Sequence, residues 1–237
     1  MRQAFFQRAF AALCCYSCMS IGTALAAPDH QSHQAMASMP LQAPGYRPLA
    51  FELPAVGSYE RPVIGQAADA KVIDSQGRAT SLHALMRDKV TLLSFMYTSC
   101  SDVNGCPLAS YVLHRVMQRL AADERLQNRV QLLSLSFDRA NDSPEVLARY
   151  GARFNEQQAD RWRFLTTPDD KTLDQILKDY NQFIIQDIDS EGNILGSISH
   201  LLRVYLIDEQ QNLREVYSVS FLHADILVQD MLTVMAD

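Results

Sequence analysis

Two uncharged runs of strand length, Val90 to Tyr97 and Val130 to Phe137, constrain this chain more than any other feature. Neither alternates polar with apolar residues, so neither suits a sheet with one wet face. Such runs belong to central strands covered on both sides. A helical pattern follows each. After the first come Pro107, suited to an early helical position, and Leu108, Tyr111, Val112, Val116 and Leu120 at helical spacing. After the second, Asp142-Ser143-Pro144 opens a helix that runs through Leu147, Tyr150 and Phe154.

The remaining elements extend this order. Ala70 to Ile73 and Arg78 to Ser81 read as a hairpin about Asp74-Ser75-Gln76-Gly77. Trp162 to Leu165 is a third short strand, and Pro168 to Tyr180 a third helix with Asp169 and Asp170 at its positive end. Phe183 to Ile188 and Ile194 to Ile198 flank a second turn, Asp189 to Asn193, with His200 at its exit. Leu201 to Ile207 and Leu213 to Val219 form an antiparallel pair, and Phe221 to Met235 a closing helix. The expected fold is α/β: a thioredoxin-like sandwich whose central mixed sheet is flanked by helices, with an inserted β-hairpin.

The first residues are of another kind. Arg2 and Arg8 precede an uncharged apolar run that ends in Ala24-Leu25-Ala26-Ala27, the parts of a secretory signal peptide over residues 1–26. Residues 27–61 contain Pro28, Pro40, Pro44, Pro48 and Pro54 and are expected as a flexible tether, leaving 62–237 as the domain. His30, His33, Met36 and Met39 recur in the tether; they are incidental or serve to gather copper, which both side-chain types ligate. Export implies the periplasm, with membrane attachment only if the leader stays uncleaved. A net charge of -6 argues against a nucleic-acid partner.

Three of the five cysteines, Cys14, Cys15 and Cys18, lie in the leader. Cys100 and Cys106 remain, on the loop joining the first apolar strand to its helix. Three chemistries compete for them. A thiol–disulfide oxidoreductase uses two intervening residues and a facing cis-proline; here the cysteines enclose five, and no proline follows Pro168. A thiol peroxidase wants a proline upstream, which the loop lacks. A soft metal site needs a third donor, and His200, beside the strand that carries the cysteines, is the candidate. A plain disulfide is the structural alternative in an oxidising compartment.

The segment Phe95-Met96-Tyr97-Thr98-Ser99-Cys100 to Cys106-Pro107-Leu108 resembles the copper-site loop of the Sco/SenC family. Leu135-Ser136-Phe137-Asp138 to Asp142-Ser143-Pro144-Glu145-Val146-Leu147, Trp162-Arg163-Phe164-Leu165, and His200 to Tyr205-Leu206-Ile207-Asp208 are similar to the elements that follow it. The resemblance implies a copper chaperone of cytochrome oxidase assembly, not a turnover enzyme, with Cys100, Cys106 and His200 as ligands to Cu(I) or Cu(II). It implies as partners a copper-receiving enzyme, such as cytochrome c oxidase, and a periplasmic thiol reductant. The alternative is a thiol–disulfide reductase that maintains the cysteines of a copper site. Two features depart from the family pattern: the family's cysteines enclose three residues, and Ser199 stands where an Asp usually precedes the histidine.

Overall fold

Burial on both faces is what makes the two apolar runs strands. In the computed structural model, which describes residues 43–155 and 160–236, every residue of Val90–Met96 and of Val130–Ser136 is buried. In chain order the strands are β1 (Gly65–Gln66), β2 (Lys71–Asp74), β3 (Ala79–Ser81), β4 (Val90–Met96), β5 (Val130–Ser136), β6 (Trp162–Thr166), β7 (Ile184–Ile188), β8 (Ile194–His200), β9 (Val204–Ile207) and β10 (Asn212–Tyr217). The helices are α1 (Leu82–Met86), α2 (Cys106–Ala122), α3 (Glu124–Gln127), α4 (Pro144–Asn155), α5 (Asp170–Asp179) and α6 (Ala224–Val234).

Eight strands form one mixed sheet in the order β1-β10-β9-β4-β5-β6-β2-β3. β4, β5 and β6 are parallel, as helical crossovers require; β9 lies antiparallel to β4, pairing Ser94 with Val204 and Thr91 with Ile207. The thioredoxin-like arrangement expected from the order of elements is the one observed. β7 and β8 pair only with each other, so the inserted hairpin is a separate two-stranded sheet. Buried hydroxyls stitch the centre: Ser94 Oγ lies 2.8 Å from Ser134 Oγ, which accepts the Trp162 indole N–H at 2.9 Å.

One turn chemistry recurs at three hairpins. Asp74, Asp189 and Asp208 each accept the backbone N–H groups two and four residues on. In each, the residue three positions after the Asp has positive φ: Gly77 at 78°, Gly192 at 86° and Gln211 at 66°. Glycine meets that demand without strain; Gln211 does not.

The structure departs from expectation in two places. The strand expected over 201–207 begins at Val204; the Leu201 carbonyl accepts instead from Gln182 Nε2 at 2.7 Å as the chain leaves the hairpin. The segment expected as a tether over 27–61 is described from Ala43, and from there it lies on the domain. Tyr46, Leu49 and Leu53 pack against the core. Gly57 N–H donates to Thr233 Oγ1, while the Tyr59 hydroxyl and both oxygen-directed bonds of Arg61 Nη2, at 2.7 and 2.8 Å, end on Asp230. Asp230 is 1% exposed and also takes the Tyr217 hydroxyl. The prolines deny this segment a strand ladder but not a packing surface. The signal peptide and the His30–Met39 motif lie outside the described residues. Among the described residues no helix is long and apolar enough to cross a membrane.

Candidate metal centre

The site forms where β4 ends. Its chain leaves the sheet at Tyr97, passes Cys100, and re-enters regular structure at Cys106, the first residue of α2. Each end of this loop is held differently. At the upstream end, the buried Asp142 carboxylate takes the Thr98 backbone N–H at 3.0 Å, the Thr98 hydroxyl, and the Ser136 hydroxyl at 2.6 Å. This ties the loop to the end of β5. At the downstream end, Asp102 Oδ1 accepts the Asn104 N–H at 3.0 Å, and the Asp102 carbonyl accepts the Gly105 N–H at 2.8 Å. A Cβ at Gly105 would sit 3.2 Å from that carbonyl, so glycine is what lets the turn close onto the helix. The two residues that lengthen the loop, Asn104 and Gly105, are therefore built into a hydrogen-bonded turn.

His200 arrives from the hairpin. It is the last residue of β8, paired with Ile184, and the following turn leads into β9 beside β4. The antiparallel course of β9 is what brings its leading residues to the carboxyl end of β4. The imidazole packs on Phe137, with centroids 4.9 Å apart, and lies edge-on to Tyr97 at 6.0 Å. Tyr97 fixes the hairpin in turn, its hydroxyl accepting the Ile198 N–H at 3.3 Å.

The three sequence-predicted residues meet. Cys106 Sγ is 3.4 Å from His200 Nε2, and one ligand atom from each of Cys100, Cys106 and His200 lies within 4.8 Å of the others. Both cysteines are free thiols. Two sulfurs and an imidazole nitrogen form a soft donor set. His200 Nδ1 is buried without a hydrogen-bond partner, whereas a metal-bound imidazole usually donates from its other nitrogen. Ser199 does not supply that partner: its hydroxyl donates to Asp187 on the neighbouring strand.

The thiols are unequal. Cys100 is half-buried and its pKa falls to about 4, chiefly because the Cys106 thiol donates to it. Burial opposes this, while His200 and the backbone N–H groups of Cys106 and Asp102 assist. Cys106, 1% exposed, is pushed well above the ordinary thiol range by the same hydrogen bond, by burial and by the Cys100 charge. A helix N-terminus ordinarily acidifies a thiol, so at Cys106 that influence is outweighed.

Met96 is buried packing, and His114 sits on α2 with Nε2 at 3.3 Å from Gln118. His223 is 8% exposed: Tyr46 stacks on it at 4.6 Å, and its Nδ1 caps α6 through the Asp225 N–H. Asp142 carried no functional signal in the sequence beyond its place before a helix start, because the group it holds is 44 residues upstream.

The family pattern described as SCO1/SenC matches residues 67–236. Among solved structures, Arabidopsis thaliana ScoI with copper bound is 18% identical, with a TM-score of 0.60 over 73% of this chain and 98% of that one. A SCO1/SenC family lipoprotein from Bacillus anthracis is 21% identical, with a TM-score of 0.62 over 75% of this chain and 99% of its own. Bradyrhizobium japonicum ScoI with copper bound is 20% identical, with a TM-score of 0.55 over 69% of this chain and 99% of that one. At these identities the likeness establishes the thioredoxin-like fold. No curated protein sequence matches the chain significantly.

Proposed function

The chain belongs to the SCO1/SenC family, and on that premise we propose that it is an exported copper carrier that supplies a cuproenzyme such as cytochrome c oxidase. The observation that carries this reading is the convergence of Cys100, Cys106 and His200 within 4.8 Å. Two thiolates and an imidazole suit trigonal Cu(I), and with a further weak donor they hold Cu(II). The copper bound by two of the structural relatives is consistent with that choice of cargo.

Copper is the cargo, and its transfer is a ligand exchange. A donor of the recipient adds to the ion as a donor of this chain leaves, so the oxidation state is unchanged. Half-buried Cys100 is the first to be exchanged, while buried Cys106, with His200 packed on Phe137 beside it, keeps the ion from escaping to solvent. Loading requires both thiols reduced. In the periplasm, where residues 1–26 would send the chain, that requires a thiol reductant as a second partner.

The test is titration of the reduced chain with Cu(I) and with Cu(II) under nitrogen. One tightly held equivalent is expected, lost in Cys100→Ser and Cys106→Ser and weakened at least about tenfold in His200→Ala. A wild type that binds no better than the cysteine variants ends this reading. N-terminal sequencing of the periplasmic fraction should begin at Ala27.

The unequal thiols favour one second reading, a reductase for the cysteines of a copper site. Cys100 thiolate would attack the recipient disulfide, expelling one recipient thiolate and forming a mixed disulfide. Cys106 would then lose its proton and displace the second thiolate, leaving a Cys100–Cys106 disulfide for the periplasmic dithiol reductant to reduce. Two electrons pass to the recipient. This activity tolerates His200→Ala, which copper binding does not.

A further inference from the structure

The end of the sheet opposite the thiols has a chemistry of its own. Lys89 immediately precedes β4, Arg161 immediately precedes β6, Arg163 lies within β6, and Arg87 ends α1. All four line one cavity of about 420 Å³, and among the described residues Asp160 is the single carboxylate in its lining. The size falls within the range of small-molecule sites.

These cations are not consumed by the fold. Among the described residues, Arg78, Arg125, Arg129, Arg139 and Arg214 each pair with a carboxylate. No carboxylate among the described residues is paired with Arg87, Lys89, Arg161 or Arg163. Lys89 Nζ donates to the Asn128 carbonyl, and among the described residues Arg163 Nε is buried without a partner. The wall beside them is fixed, because Gln131 spends its side-chain N–H groups on the Leu85 carbonyl and the Thr91 hydroxyl. Four cations with no ion-pair partner among the described residues, in one concavity with a single described carboxylate and on a chain of net charge -6, form a local field opposite to that of the whole protein.

We propose that this cavity binds a phosphate-bearing anion. Guanidinium groups match phosphate oxygens with paired N–H donors, and Lys89 adds a point charge. The cavity exceeds a single phosphate group, which fits a diphosphate or a phosphate carrying an organic substituent. A free phosphate compound and the headgroup of an anionic lipid share this chemistry.

The test uses the chain from Ala27 onward, which contains the whole compact unit that begins at Pro40. Pyrophosphate is titrated calorimetrically, and flotation compares vesicles of phosphatidylglycerol with vesicles of phosphatidylcholine. Pyrophosphate binding is expected, weakened at least about tenfold in the Arg161→Gln/Arg163→Gln double variant. Arg87→Gln, at an exposed site, should weaken it several-fold and serves if the double variant fails to fold. Arg125→Gln, paired with Asp123 outside the cavity, should leave it unchanged. Binding to phosphatidylglycerol vesicles alone, lost in the same variants, assigns the site to a lipid headgroup. Silence in both assays, or equal loss in Arg125→Gln, overturns the proposal.

Discussion

Cys100 and Cys106 close the two ends of one loop and meet opposite surroundings. Cys100 lies half-open, its charge stabilised by donors from Cys106, His200 and two backbone N–H groups. Cys106 is sealed under the first turn of α2 and kept protonated by its neighbour and by burial. The anchors differ likewise. The Cys100 end hangs from Asp142, a long-range partner in the core, and the Cys106 end from Asp102 and Gly105, which are local. A pair of equal thiols would be an indifferent clasp. An unequal pair has a defined outer donor and a defined inner one.

The largest expected effect strikes the Cys100 end. Asp142→Ala removes three hydrogen bonds to a buried carboxylate and orphans the Thr98 N–H, which should cost about 3 kcal/mol in urea unfolding. A loss under about 1 kcal/mol would mean that the loop is held from its local end alone. Next comes the asymmetry itself. At about pH 5 iodoacetamide should modify Cys100 at least about 100-fold faster than Cys106, as read by peptide mass spectrometry. Equal rates would break the comparison.

The sign of the associated pH effect follows from the depressed Cys100 value. An unfolded thiol ionises near 8.5. The Cys100 charge therefore contributes fully to stability above that pH, and the contribution is lost as pH falls toward about 4. Gly105→Ala comes third: a Cβ at 3.2 Å from the Asp102 carbonyl should cost about 1 kcal/mol and narrow the difference in alkylation rates. Asp102→Ala should be smallest, near 0.5 kcal/mol, since it removes one exposed turn bond to Asn104.

These contrasts mark what was legible beforehand. Strands β4 and β5 were, because seven residues without a solvent-facing position can sit only inside a sheet. Pro107 placed the start of α2, and Asp with Gly three residues later placed two of the hairpin turns. The meeting of His200 with the cysteines followed from strand order and family resemblance. The inequality of the thiols did not, because it depends on burial and on who donates to whom. Nor did Asp142, whose partner is distant in sequence, or the burial of His223, which requires Tyr46 to return from a proline-rich segment with no periodic signal. Total charge also hid the basic cavity, since a net value averages over faces that never meet the same ligand.

The clamp on Asp230 separates inheritance from foldability. The family pattern starts at residue 67, yet Tyr59 and Arg61, which supply three of the hydrogen bonds to Asp230, stand before it. A chain trimmed to the inherited pattern would keep every residue of the metal centre and leave a buried carboxylate with Tyr217 alone, a loss of about 3 kcal/mol or more. The shortest piece that works is therefore longer than the shortest piece that is recognised.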